Sequence, residues 1–189
     1  MPKVGMEPIR RAALVKATIA ELGDAGSLDV SVGRIARRAG MSPALAHHYF
    51  GGKDQIFEAA MRQILRDYGA EVVRELRGAG GGRGRARAII RANFAESCFA
   101  PDTVSAWMLF YVQAQTSAGA RRLLTVYQSR LRSNLRHALR GQTADPARAA
   151  ELIAALIDGL YLSSALVARD PGAEAKALAL LDILTGEAA

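Results

Sequence analysis

Apolar residues recur at helical spacing along most of the chain, and no run shows the sustained alternation of β-branched residues that is typical of a strand. The first stripe has offsets of 0, 3, 4, 8 and 11 residues and consists of Leu14, Ala17, Thr18, Leu22 and Ala25. This spacing places the side chains on one helix face, and Gly26 is a typical helix stop.

Two short helices follow in the predicted order. Ser31 is a good N-cap for the second helix, and Gly40 ends it. Ser42 caps a third helix whose first position is Pro43, where the missing N–H does no harm. Residues 51–52 are both glycine and end this helix.

A long fourth helix is predicted from about Asp54, because Ile56, Ala60, Ile64 and Tyr68 repeat every four residues. Residues 78–84 contain five glycines and are predicted to form a loop. This glycine run follows a helix and lacks the Gly-Lys-Ser/Thr ending, so it is not interpreted as a phosphate-binding loop. Further helices are predicted over residues 85–97, 103–117, 120–140, 147–169 and 173–185. The expected fold is all-α, with three short helices, a connecting helix and a larger helical body.

Composition places this pattern in a globular protein of a reducing compartment. The 189 residues include a single cysteine, Cys98, which excludes an internal disulfide and is interpreted as a small buried residue. The N-terminus lacks the apolar segment of a secretory signal. The longest apolar stretch, residues 152–168, is interrupted by Asp158 and Gly159, which favours a buried or subunit-facing helix over a membrane span. A cytoplasmic location is expected.

Positive charge is concentrated in the first half of the chain. Residues 1–91 carry 16 Lys and Arg against 9 Asp and Glu, whereas residues 143–189 carry 3 against 7. A basic first half indicates a polyanionic partner such as a nucleic acid. An arginine-rich solvated surface would explain the same charge distribution equally well. Charge alone leaves both interpretations open.

The second and third predicted helices form a helix-turn-helix. The third could lie in the major groove of DNA and present Pro43, Ala44, His47 and His48. Phosphate contacts are expected from Arg37, Arg38, Ser42, Tyr49 and Lys53. The N-terminal cations Lys3, Arg10 and Arg11 either contact the DNA backbone or belong to a frayed terminus.

This segment resembles the DNA-binding motif of TetR-type repressors. The family pattern Thr-x-x-x-Ile-Ala-x-x-Ala-Gly-Val-Ser-x-Gly corresponds to SVGRIARRAGMSPA at residues 31–44, and its Tyr-x-x-Phe-x-x-Lys part corresponds to HHYFGGK at residues 47–53. Ala44 replaces the usual Gly and His47 replaces a common Tyr. The resemblance implies a homodimer that binds a palindromic double-stranded operator and responds to a small molecule.

Three further stretches are similar to the choline-responsive BetI branch of that family. They are MPKVGMEPIRRAALVKAT at the start, AWMLFY at residues 106–111 and ALIDGLYL at residues 155–162. That branch controls genes that convert choline to glycine betaine, so the resemblance implies a choline-like cation as effector. Tyr161 stands where Trp is expected and Ser163 where Arg is expected, which leaves the effector's identity open.

Enzyme and metal motifs are not found. No His-Glu-x-x-His, paired-cysteine or Gly-x-Ser-x-Gly motif occurs, so neither catalysis nor a cofactor is expected. His47 and His48 are adjacent and point about 100° apart on a helix, which prevents them from binding one zinc ion together. A small helical enzyme or ligand carrier with an incidental basic face remains the alternative from another class.

Aromatic residues in the second half suggest an effector site. Trp107, Phe110 and Tyr111 share one helix face, and Phe94, Phe99, Tyr127 and Tyr161 could converge from neighbouring helices. The faces of aromatic rings hold quaternary ammonium ions. Glu96 and Asp158 are candidate carboxylates to pair with such a cation. A purely structural core is the alternative for these aromatics. A buried Asp158 needs a partner, which could be a ligand, an arginine or another subunit.

The predicted organisation has two parts. Residues 1–53 form the DNA-binding head and residues 54–189 the ligand-binding and dimerisation domain. The last two helices carry an apolar surplus that fits a four-helix dimer interface, namely Leu152, Leu156, Gly159, Leu160, Leu166, Leu178, Leu181 and Leu184. A repressor that responds to another apolar or cationic compound is the alternative within the family.

Overall fold

A computed structural model describes residues 5–167 and 170–186, and these residues form nine α-helices and no strand. The helices are α1 (Met6–Ala25), α2 (Val32–Arg38), α3 (Pro43–Phe50), α4 (Lys53–Leu76), α5 (Gly81–Asn93), α6 (Pro101–Thr116), α7 (Ala118–Ala138), α8 (Pro146–Leu166) and α9 (Ala173–Leu184). A 3₁₀ turn at Glu96–Phe99 follows α5. The all-α prediction is confirmed.

The chain folds into two compact units. Unit 1 contains the residues up to Arg66 and the segment Ala100–Leu124, and unit 2 contains Asp67–Phe99 and the residues from Thr125 onward. Helix α4 contributes residues to both units. The functional boundary after residue 53 stays a prediction.

The first three helices pack together as a helix-turn-helix head within unit 1, and their ends lie where the sequence predicts them. Ser31 Oγ accepts a hydrogen bond from the backbone N–H of Arg34, and Ser42 Oγ accepts one from Leu45, each at 3.2 Å. Gly40 has a φ of 67°, a left-handed conformation that glycine adopts without steric cost. Ile35 and Ala36 are fully buried between the helices. The predicted N-caps and stops are therefore confirmed.

Helix α6 completes unit 1 by packing along α1. The two helices approach closely at Gly23, where an added Cβ would overlap the side chain of Asp102 in the first turn of α6. Trp107 and Phe110 are buried on α6. The predicted apolar stripes of α1 and α6 thus supply the core of this unit.

The core of unit 2 is built from α4, α5, α7, α8 and α9. Its fully buried side chains include Ile90, Leu135, Leu139, Ile153 and Leu181. Leu181 was expected to face a second subunit, and this is wrong because it packs inside the unit. Leu156, Leu160, Leu178 and Leu184 are partly buried against the same core.

The predicted loop over residues 78–84 is wrong in its second half, because α5 already begins at Gly81. Tertiary contacts within unit 2 stabilise this glycine-rich turn. Arg83 Nη2 pairs with Asp182 Oδ1 of α9 at 2.8 Å. Gly82 lies directly against the backbone carbonyl of Ala138, where a Cβ would not fit. These contacts offset the low helix propensity of glycine.

By length and composition, helix α8 is long and apolar enough to cross a membrane. Of its apolar 18-residue stretch, 33% is buried in the protein. Leu152 on α8, Leu166 at its end and Ile183 on α9 remain exposed. The prediction extended this helix to residue 169, and residues 168–169 lie outside the described part of the chain.

Candidate DNA interface and effector site

Helix α3 presents the four side chains that were predicted to face DNA bases. Pro43, Ala44, His47 and His48 are all exposed, and Ala46 is the buried residue of the helix. The helix has eight residues, so it is about 12 Å long at 1.5 Å per residue. The diameter of an α-helix fits the width of the major groove, so α3 could lie in it.

His47 makes two contacts with Gly51, one from its backbone carbonyl and one from its ring. The N–H of Gly51 donates to the carbonyl oxygen of His47 at 2.7 Å, and His47 Nδ1 lies 3.1 Å from the carbonyl oxygen of Gly51. Since a carbonyl oxygen only accepts, the proton of the neutral ring is on Nδ1. The exposed Nε2 is then a hydrogen-bond acceptor, suited to an exocyclic base amine.

The N-terminal arginines contact the end of α3, an arrangement that the sequence did not predict. Arg11 Nη1 donates to the carbonyl oxygen of Tyr49 at 2.6 Å, and its guanidinium lies 4.5 Å from the centroid of the Phe50 ring. Arg10 Nη1 is 3.4 Å from the Tyr49 hydroxyl. A cation at a helix C-terminus also complements the helix dipole. Lys3 lies outside the described residues.

Arg37 and Arg38 differ in their surroundings. Arg38 pairs with Glu21 at 3.0 Å and with Asp24 at 2.5 Å, so its charge is partly neutralised within the head. The hydrogen bond with Asp24 is the main cause that raises the pKa of Arg38. Arg37 is exposed, and none of the ion pairs in the described residues involves it. Arg37 is therefore the better placed of the two for a phosphate.

The remaining predicted phosphate contacts lie around the two ends of α3. Ser42 is exposed at its start, and its hydroxyl oxygen already caps the helix. Tyr49 is half-buried near the end. Lys53 begins α4, with Nζ 5.5 Å from the centroid of the Phe57 ring. Their role in DNA binding stays a prediction.

A group of aromatic side chains converges inside unit 2. The rings of Phe94 and Phe99 are stacked with centroids 6.4 Å apart, and Phe99 lies 5.1 Å from Tyr161. The Tyr161 hydroxyl donates to the carbonyl oxygen of Cys98 at 2.9 Å. The structure thus brings together two predicted ligand residues, Phe94 and Tyr161, through Phe99.

A second aromatic contact in unit 2 includes residues that the sequence analysis did not assign. Tyr68 of α4 meets Tyr127 of α7 edge to face, with centroids 5.6 Å apart. The Tyr127 hydroxyl oxygen lies 3.4 Å from Asn93 Oδ1. Asn93 is buried at the end of α5, where Ile89, Ile90 and Ala92 are also buried. Burial also raises the pKa of the Tyr68 hydroxyl.

Asp158 has partners within unit 2. Burial raises the pKa of its carboxyl group, while the charge of Arg132 and a hydrogen bond from Tyr127 act in the opposite direction. Asp158 also lines a groove of about 180 Å³ together with Arg132 and Glu151. Of the partners considered from the sequence, the structure supplies the arginine.

The contacts described above do not include the other four predicted effector residues. Glu96 is exposed at the start of the 3₁₀ turn. Trp107, Phe110 and Tyr111 belong to unit 1, where the Trp107 ring lies 5.6 Å from Phe110 and 5.7 Å from Tyr111. The predicted shared helix face is confirmed for these three residues.

Cys98, which the sequence analysis interpreted as a small buried residue, is half-buried. Burial, followed by the nearby charge of Glu71, raises the pKa of its thiol to about 11. A protonated thiol is a weak nucleophile. Within residues 5–167 and 170–186, no group of three His, Cys, Asp or Glu side chains could hold a metal ion.

Two protein families match this chain, one near its start and one over its second half. Residues 14–60 match the family described as bacterial regulatory proteins of the tetR family, and residues 82–187 match the BetI-type transcriptional repressor C-terminal domain. The HTH-type transcriptional regulator BetI of Brucella anthropi is 50% identical over 184 residues, covering 96% of this chain and 94% of that protein. The chain belongs to the TetR family. It is a BetI-type transcriptional repressor and not an enzyme.

A second BetI regulator and two solved structures extend the comparison. The BetI regulator of Rhizobium meliloti is 50% identical over 168 residues, covering 88% of this chain and 83% of that protein. Among solved structures, a transcriptional regulator from Pseudomonas aeruginosa superposes with a TM-score of 0.83 at 27% identity, over 95% of this chain and 91% of that one. A regulator from Saccharomonospora viridis, solved in complex with choline, has a TM-score of 0.73 at 20% identity, covering 92% and 94%.

Proposed function

We propose that this repressor acts in the cytoplasm, binds a palindromic operator as a homodimer and is released by choline or a related quaternary ammonium ion. In this function it controls the synthesis of glycine betaine. The observation that carries the proposal is the set of aromatic side chains in unit 2, of which Tyr127 hydrogen-bonds to the half-buried Asp158. A quaternary ammonium ion cannot donate a conventional hydrogen bond, so aromatic faces and a carboxylate are suited to hold it.

Two findings on similar proteins support a choline-like effector. The BetI regulators are similar to nearly the whole chain, and the Saccharomonospora viridis regulator, which shares the fold, binds choline in its crystal structure. The proposed site includes Phe94, Tyr127, Asp158 and Tyr161. Glu96 remains an additional candidate for this site, while Trp107, Phe110 and Tyr111 belong to unit 1 and their role as effector residues stays a prediction.

The proposed dimer uses α8 and α9. Leu152, Leu166 and Ile183 are 43%, 70% and 61% exposed, a large apolar surplus for two adjacent helices. Gly159 is exposed on α8 and has open space at its Cα, which would let a partner helix approach closely. A two-fold axis through this face would present two copies of α3 to successive major grooves.

Regulation in this proposal follows from linkage. Tyr68 belongs to the α4 segment in unit 2, while the same helix begins at Lys53, directly after the head. An effector that displaces α4 would change the separation of the two reading helices and lower operator affinity. Effector and operator must then weaken each other's binding by the same factor.

Calorimetric titration of the purified protein tests the effector. Choline and betaine aldehyde should bind, whereas the neutral isostere 3,3-dimethylbutan-1-ol should bind at least tenfold more weakly, because it lacks the charge. Equal heats for choline and the isostere would overturn the ammonium site in favour of an apolar effector.

A gel-shift titration with the DNA upstream of the gene and of its neighbours tests the repressor function. Specific binding should survive competitor DNA and should decrease when choline is added. Association that ignores sequence and disappears with moderate salt would instead indicate a carrier whose basic face is incidental.

A further inference from the structure

Unit 2 contains a groove of about 260 Å³ whose polar lining is cationic or neutral. Its polar side chains come from α5, α7 and the turn after α7, and they are Arg85, Ser133, Asn134, Arg136, His137 and Arg140. Leu76 and Ile89 provide the apolar part of the wall. No carboxylate lines this groove among the described residues.

The arginines of this groove differ from their neighbours on the same helices. The sequences of α5 and α7 contain arginines and no Asp or Glu. Arg83 and Arg87 both pair with Asp182, and Arg91 pairs with Glu174 at 3.7 Å. In the described part of the chain, no ion pair involves Arg85, Arg136 or Arg140.

Three guanidinium groups that line one groove without a carboxylate repel one another, and a concave wall concentrates their field. A bound anion would relieve this repulsion. Guanidinium groups match the geometry of phosphate oxygens through paired hydrogen bonds. The Ser133 hydroxyl and the Asn134 amide add neutral donors at the same wall.

His137 contributes a further donor in this arrangement. Its Nδ1 lies 3.5 Å from Arg140 Nη1, and since arginine only donates, the neutral ring accepts at Nδ1 and carries its proton on Nε2. Every charged group of the lining therefore favours an anion. The volume is smaller than the roughly 300–1,000 Å³ of sites for drug-sized ligands, which indicates a small anion.

We propose that this groove binds a small phosphorylated anion, either inorganic phosphate or a simple phosphate monoester. The site is separate from the proposed ammonium site in its residues and in the sign of its charge. Its existence does not depend on choline being the effector.

Calorimetry on the full chain tests the proposal with inorganic phosphate and glycerol phosphate at constant ionic strength set by potassium chloride. Saturable binding of one anion per chain is expected, and the tighter of the two probes identifies free phosphate or an ester as the natural source. Each variant loses a charge-assisted hydrogen bond, so Arg136→Ala and Arg140→Ala should each weaken binding about tenfold or more. Arg136→Lys should retain part of the affinity, since it keeps the charge and loses the paired geometry.

Arg130→Ala is the matched control, because Arg130 is exposed on the same helix and does not line the groove. Its phosphate affinity should stay within about twofold of the parent protein. The proposal is overturned if phosphate gives no saturable heat, if Arg130→Ala and Arg136→Ala weaken binding equally, or if an operator-free DNA duplex displaces the phosphate. Circular dichroism of each variant shows whether it is folded.

Discussion

Arg11 of α1 donates a hydrogen bond from Nη1 to the backbone carbonyl oxygen of Tyr49 at 2.6 Å, near the C-terminal end of α3. The last carbonyl groups of a helix have no partner within the helix, so this contact satisfies one of them from outside. The first helix of the head therefore holds the end of the helix that is proposed to read the operator.

Replacing Arg11 with alanine should loosen α3 without removing a DNA contact. We expect every operator variant to bind several-fold more weakly and the free energy of unfolding to fall by about 1 kcal/mol. Fluorescence anisotropy across a salt series and urea unfolding measure the two effects. The salt slope should stay unchanged, and a decrease of about one would show that Arg11 contacts a phosphate instead. Lys16→Ala, an exposed cation on the same helix, is the control.

Lys53→Ala should differ from Arg11→Ala in the salt dependence of binding. Loss of a phosphate contact weakens binding to all sequences alike and reduces the salt slope by about 0.9. Lys53→Arg should keep the slope, since the charge remains. A change of base preference with the slope intact would exclude the phosphate role. Anisotropy titrations at several salt concentrations provide the measurement.

His47→Ala should change which operators are preferred. The ring presents Nε2 as an acceptor because Nδ1 donates to Gly51, so it is suited to a base amine in the major groove. A lost base contact should reduce discrimination at one base pair by about 1–3 kcal/mol. Selection from a randomised operator pool measures this preference for His47→Ala and, in parallel, for His48→Ala. Uniform weakening without a changed ranking would assign His47 to the DNA backbone.

Choline affinity should rise with pH if Asp158 binds the cation. Burial raises the pKa of Asp158 in the folded protein, and only the ionised form attracts the ammonium ion. Affinity should therefore increase as pH rises through the pKa of the free protein and then level off. Calorimetry between about pH 4 and about pH 7 covers this range.

Asp158→Asn should abolish that pH dependence and weaken choline binding. The folded protein should not lose stability at neutral pH, because a raised pKa means that the ionised carboxyl opposes folding there. Glu151→Gln is the control, since Glu151 is an exposed carboxylate of the same helix and lines the same groove. An unchanged pH profile in Asp158→Asn would exclude Asp158 as the counter-charge.

Asp182 should contribute stability that disappears in acid. Hydrogen bonding from Arg83, with Arg87 close by, lowers the pKa of Asp182 below its usual value. The stabilisation is complete above the unfolded pKa of about 4 and is lost as pH falls through the folded pKa. Asp182→Asn should thus lower the free energy of unfolding by about 1 kcal/mol at neutral pH and have little effect near pH 2. Urea unfolding at both pH values tests this, and Glu174→Gln, whose ion pair is longer, should have the smaller effect.

The head could be predicted closely because its signals are local. Ser31 and Ser42 cap helices that begin one residue later, and Gly40 provides the left-handed turn between them. The beginning of α5 could not be predicted in this way. Arg83 in its first turn binds Asp182, which is 99 residues away in the sequence, and this contact helps to stabilise the helix at its glycines. Local propensity contains no information about such a contact.

For the candidate effector site, the sequence predicted the types of residue but not the contacts between helices. The sequence indicated which aromatic residues and carboxylates were available, and the i, i+3, i+4 spacing correctly grouped the aromatics of α6. It did not indicate that Tyr127 of α7 would reach Asn93 of α5, or that Arg132 would lie near Asp158. Those relationships depend on how separate helices pack.

The exposed face of α3 has a consequence for how such repressors diverge after gene duplication. Ala46 is the residue of this helix that the core requires, while Ala44, His47 and His48 contact solvent. Mutations at the exposed positions can therefore accumulate without compensating changes in the interior. A duplicated copy could acquire a new target promoter in a few substitutions while keeping its response to the original signal.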